Sequence, residues 1–154
     1  SNTVTNVGSA FFLFGVIGKL LFGFLSDRFN KKMVMTASIG LLILGNYFLY
    51  ALGNQTGLSP YWYAVTYGIA YSGVFTMIQI IVADLYYGRS YGKILGVVLT
   101  VDTLASVAGI VFLGKMSVTS GSYQPGIFYM MIMCVVALVA FILVKGNFSP
   151  AASE

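Results

Sequence analysis

Two charged residues stand where charge is costly. Lys19 lies inside an apolar run that ends near Ser26, and Asp102 lies inside another that begins at Ile94. An ammonium group in hydrocarbon needs a cavity, a counter-ion or an anionic ligand. A carboxylate there is expensive unless it is paired or protonated. The chemistry open to these residues is ion pairing, anion capture or proton uptake. Lys19 precedes Asp27 by eight residues, roughly 12 Å at the rise of an α-helix. Asp102 follows Lys93 by nine, roughly 13 Å by the same rise. They therefore share a depth on two different segments. Three arrangements fit: a fixed ion pair that locks packing, a pair in which Asp102 takes up a proton or gives up Lys19 to a solute, or two residues facing separate cavities.

The densest charge cluster is Gly23-x-x-x-Asp27-Arg28-x-x-Lys31-Lys32, at the junction of two apolar runs. It puts an acid and a base at the end of one segment and two bases at the start of the next. Such charges serve as solvated loop residues that fix topology, or as a clamp between neighbouring helices.

Composition says what must position these residues. Of 154 residues, 58% are apolar and 8% charged, where a soluble domain has about 25% charged residues. So few charges cannot build a water-facing surface, and the natural solvent is lipid. The net charge of +4 belongs to cations at the ends of apolar runs, where anionic headgroups hold them, so nucleic acid is not an expected partner. There is no His, one Cys and no Glu before Glu154. A zinc site, a disulfide and a Cys-His pair are excluded within this sequence; neither metal nor cofactor is expected, and an embedded enzyme has little to work with. Cys134, in an apolar run, reads as a small packing residue.

Five runs are long enough to cross a bilayer, which takes about 20 helical residues: 4–26, 33–53, 61–83, 94–114 and 126–144. Helix is the form that satisfies backbone polar groups in lipid, and the alternation of a barrel is absent. The fold class is an all-α membrane protein with connections at 27–32, 54–60, 84–93 and 115–125. Arg28, Lys31, Lys32, Arg89, Lys93 and Lys145 fall on one side and Lys115 on the other. The positive-inside bias makes the richer side and the C-terminus cytoplasmic and the N-terminus external. Tyr61, Trp62 and Tyr63 suit an outer aromatic belt. The chain begins at Ser1 with no signal-peptide pattern, so at least one further helix is expected upstream.

Small residues recur where helices could approach closely: Gly15, Gly18 and Gly23 in the first run, Gly68, Ser72 and Gly73 in the third, Ala105, Ala108 and Gly109 in the fourth. Asn46, Thr76, Gln79, Thr100 and Thr103 are expected to hydrogen-bond between helices, with Gln79 and Thr103 also candidates to reach a solute. Tyr67 and Tyr71, at i and i+4, suit a pore lining or core packing.

The charge cluster resembles the signature loop of the major facilitator superfamily of secondary transporters, Gly-x-x-x-Asp-Arg-x-Gly-(Arg/Lys)-(Arg/Lys). Gly23, Asp27, Arg28, Lys31 and Lys32 match, and Asn30 replaces the usual Gly; Asn is the other residue that tolerates a left-handed turn. The family has twelve helices in two six-helix halves, so the resemblance implies a partial half. The third span lacks the intramembrane Arg common in an N-terminal half, and the chain ends soon after its last span. Both favour helices eight to twelve of the C-terminal half, with the N-terminal half of the same transporter as partner. Residues 83–96, with Gly88-Arg89 and Gly92-x-x-x-Gly96, look like a loop of the oxalate/formate and monocarboxylate branches. In those branches a cation, usually Arg, precedes the motif Gly by four, as Lys19 precedes Gly23. By that resemblance Lys19 binds a substrate carboxylate, without the bidentate fork of Arg. Oxalate/formate exchangers often carry a cation on the helix that here carries Asp102, a departure that disfavours simple exchange of a dianion. The implied activity is proton-coupled or exchanging transport of a small organic anion such as a monocarboxylate, by alternating access, with Lys19 on the solute; the residues themselves add Gln79 and Thr103 as further candidate solute contacts and Asp102 as a candidate for proton coupling. Carriers of neutral, zwitterionic or drug-like solutes share the loop motif and form the alternative; a channel or assembly subunit is a further one.

Overall fold

An uncharged span in lipid can satisfy its backbone only by bonding to itself, and each apolar run does so. The computed structural model describes residues 2–53, 59–86, 88 and 90–144, with side chains from residue 5 onward. It holds five helices: α1 (Asn2–Arg28), α2 (Lys31–Gly53), α3 (Pro60–Leu85), α4 (Tyr91–Ser120) and α5 (Gln124–Leu143). All five are long and apolar enough to cross a membrane. The connection 54–58 and the cations Arg89 and Lys145 lie outside the described residues.

Several helices outrun the expected spans. The first connection shrinks to Phe29 and Asn30, so Asp27, Arg28, Lys31 and Lys32 stand on helix ends. Asn30 caps α2, its Oδ1 accepting the Lys32 backbone N–H at 2.9 Å. That is the usual way a short polar side chain satisfies an orphan donor in a first turn. The expected connection 115–125 is corrected. Lys115 to Ser120 continue α4, with the Thr119 hydroxyl donating to the Lys115 carbonyl at 3.0 Å. The helix stops at Gly121, whose φ of 65° is the left-handed conformation that glycine adopts without steric cost. At 30 residues, α4 is about 45 Å long, more than the ~30 Å of hydrocarbon it would cross.

The packing centres on α3. Helix α1 runs along one side of it and α2 along another, and α5 packs on α2. Helix α4 meets α3 and α5 only lightly, and none of its residues is buried. The core is Phe22, Val34, Met35, Ile39 and Met77, from α1, α2 and α3. The α1–α3 seam is a backbone contact. A Cβ on Gly18 would stand 2.8 Å from the Ile69 carbonyl oxygen, and one on Gly68 would stand 2.7 Å from that of Phe11. Small residues permit this approach, and dispersion across the seam holds it in lipid. Gly23 and Gly109, grouped with them by sequence, have nothing near enough for a Cβ to meet.

Asn46 joins helices as expected. It is buried, and its Nδ2 donates to the Cys134 sulfur at 3.6 Å, linking α2 to α5. Thr100 and Thr103 do not join helices. Their hydroxyls donate to Gly96 and Leu99 carbonyls of their own helix, each at 2.8 Å. A threonine on an unpacked face has its own i−4 carbonyl as the nearest acceptor.

Candidate functional site

The register of α1 explains where Lys19 goes. Gly18 faces α3 at closest approach, and successive helix residues are rotated by about 100°. Lys19 therefore falls at the rim of the α1–α3 seam, exposed, with Nζ 5.8 Å from the centroid of the Phe75 ring. Beside it opens a cleft of about 310 Å³. Helix α1 lines it with Phe11, Phe12, Gly15, Val16 and Lys19, and α3 with Tyr71, Ser72 and Phe75. The Ser72 hydroxyl is already donated to the Gly68 carbonyl. Lys19 is the one formal charge of this lining, so the cleft combines a cation with aromatic and apolar walls. Such a lining offers one cation to a polar group and apolar walls to whatever is attached to it.

The other expected site residues are not at this cleft. Gln79 is half-buried one turn further along α3, and Thr103 and Asp102 are exposed on α4. The fixed Lys19–Asp102 ion pair does not form. Among the described residues the one salt bridge joins Lys31 to Asp84. The physical reason is packing: α1 docks on α3, and α4 does not reach α1.

The walls of the cleft were only partly visible in the sequence. Tyr71 is about half exposed and lines the cleft, so core packing does not describe it. Tyr67 stacks on it at 6.2 Å with an interplanar angle of 8°. The signal that finds the wall is the i, i+4 recurrence Tyr63, Tyr67, Tyr71, Phe75, one stripe of α3.

A second cluster lies at the end of the bundle where α1 meets α2. The clamp reaches α3 and α5 rather than tying α1 to α2. Lys31, buried, pairs with Asp84 at the end of α3. Lys32 donates to the Ile142 carbonyl at 3.1 Å and the Val144 carbonyl at 2.7 Å, at the end of α5. Each charge is wrong for its own helix. Lysines oppose the positive N-terminus of α2, and Asp84 opposes the negative C-terminus of α3. Across helices the signs become right, because Lys31 meets a carboxylate and Lys32 meets orphan carbonyls. Asp27 and Arg28 stay exposed, with the Arg28 guanidinium 5.0 Å from the centroid of the Phe24 ring.

Apolar helices of membrane length, a cleft with one cation in its lining and the basic junction at one end now stand together. The family model for the Major Facilitator Superfamily matches residues 1–153. The chain belongs to that superfamily. No curated protein and no solved structure matches it. Membership makes it a transporter polypeptide of a multi-pass membrane protein, with a small molecule as substrate and a partial major facilitator fold.

Proposed function

We propose that this bundle is the C-terminal half, less its first helix, of a secondary carrier for a small organic anion such as a monocarboxylate. The observation that carries this reading is Lys19. It is a cation at membrane depth, on a cleft, without a carboxylate partner among the described residues. An ammonium so placed is costly unless it serves an anionic ligand. The carrier would work by proton coupling or exchange, rocking against an N-terminal half around a midplane site. Asp102 is the proton-carrying candidate. Gln79, one turn beyond Phe75 on α3, would meet a solute that extends along that helix, and Thr103 would do so only when α4 closes on α1 and α3. The end bearing Arg28, Lys31, Lys32 and Lys93 faces the cytoplasm of a cell or plasma membrane. The apolar walls of the cleft also favour a second reading, a carrier of a neutral, zwitterionic or drug-like solute.

The test is uptake of labelled pyruvate or lactate into proteoliposomes by the full-length transporter, with and without an inward proton gradient. Lys19→Ala is expected to abolish uptake, and Asp102→Asn to leave uptake that no longer responds to the gradient. If wild type ignores every carboxylate offered, the anion reading falls and the second reading takes its place.

A further inference from the structure

The cleft beside Lys19 is larger and more aromatic than a three-carbon acid requires. At roughly 30 Å³ for a water-sized group, 310 Å³ has room for about ten or more heavy atoms. Lactate or pyruvate would leave about half of it to water against Phe11, Phe12, Tyr71 and Phe75. The polar anchor lies at one place, the Lys19 ammonium, 5.8 Å from the centroid of the Phe75 ring. A carboxylate paired with it must put its remaining atoms against the rings of α1 and α3. Those rings are already arrayed. Tyr67 and Tyr71 lie nearly parallel at 6.2 Å, and Phe11 holds Tyr67 and Tyr71 at 6.1 and 6.5 Å. Tyr67 is also backed by α2, where a Cβ on Gly45 would meet it at 3.1 Å. That approach is to the Tyr67 backbone and Cβ, so α2 fixes the base of the array, and Tyr71, about half exposed, is its member that lines the cleft on α3.

We infer that the cleft seats an organic monoanion carrying a flat aromatic ring, with the carboxylate on Lys19 and the ring against Tyr71 and Phe75. This rests on the anion reading above and sharpens it. One cation in the lining suits one negative charge. Offset stacking on a preformed array adds to the simple burial of a ring. Tyr71 and Phe75 then determine specificity, and Lys19 determines charge.

The experiment is binding by the purified full-length transporter, measured as competition against labelled phenylpyruvate. Pyruvate carries the same head group without the ring. Phenylacetate and phenylacetamide share the ring and differ in charge. Phenylpyruvate is expected to compete at a concentration about tenfold or more below pyruvate, from the stacking and burial of one ring. Tyr71→Leu and Phe75→Leu, which keep apolar volume, should narrow that gap to about threefold while pyruvate still competes. Lys19→Ala should weaken phenylacetate and leave phenylacetamide unchanged. Equal competition by pyruvate and phenylpyruvate in wild type overturns the ring seat, and needs no variant to fold. That result leaves the anion reading standing. Phenylacetamide matching phenylacetate in wild type, with Lys19→Ala changing neither, overturns the anion reading and this inference with it.

Discussion

Helices α1 and α4 carry the same kind of sequence and end in opposite situations. Both are long apolar runs with glycines and one intramembrane charge. On α1, Gly18 meets the α3 backbone so closely that a Cβ would stand 2.8 Å from a carbonyl oxygen. On α4, Gly109 faces open space, Ala105 and Ala108 are exposed, and Leu104 is 66% exposed. The contrast teaches that a small-residue repeat is a permission, not a contact. It becomes a seam only where a second helix brings a matching repeat, as Gly68 and Ser72 do for α1. The charges divide likewise. Lys19 is placed by the seam at a cleft, whereas Asp102 is exposed on α4 and pairs with no cation among the described residues.

The largest expected difference between the two regions lies in the glycines. Gly68→Val forces α1 and α3 apart at a backbone contact and should destabilise the bundle by ~3 kcal/mol or more. Gly109→Val has nothing to meet and should change stability by ~0.5 kcal/mol or less. Denaturant unfolding of the transporter in micelles or bilayers measures both, and equal losses would break the comparison.

Carboxylates give an intermediate contrast. Asp84→Asn leaves Lys31 buried without its counter-charge, which should cost ~2 kcal/mol, below the range for a fully buried pair because the Asp84 side chain is 40% exposed. Asp102→Asn should be near neutral for stability, within ~0.5 kcal/mol. Lys31→Met combined with Asp84→Leu should recover most of the loss. A melt showing Asp102→Asn to be the costlier change would mean that α4 is packed against something that pairs with it.

The smallest contrast is in hydroxyls. Ser72 is buried in the seam and donates to the Gly68 carbonyl, so Ser72→Ala should cost ~0.6 kcal/mol, a typical value for membrane hydrogen bonds. Thr103 bonds back to its own helix on an exposed face, so Thr103→Val should fall within a few tenths of a kcal/mol. The same unfolding curves would separate them.

What the sequence determined by itself was local. Five helical spans, their order and the cations that collect at one end follow from the need of each backbone to satisfy itself in lipid. That need involves no other segment. The junction motif at Gly23–Lys32 and the glycines of the third span were legible as local patterns too. Helix ends were less so, because the polar stretch after Lys115 can remain helical once clear of hydrocarbon. Partnership belonged to the tertiary structure. Lys19 and Asp102 are expected at one depth from their spacing to the nearest charges, yet the acid that finds a lysine is Asp84 and the lysine is Lys31. Depth is a property of one helix, whereas pairing depends on which helices touch and on their rotation. That rotation is set by Gly18 on Ile69 and Gly68 on Phe11. The same seam turned Tyr71 toward a cleft, while α4, with no matching close approach, touches α3 and α5 only lightly, since in lipid apolar burial gives no preference between a helix and a tail and close packing and interhelical hydrogen bonds decide.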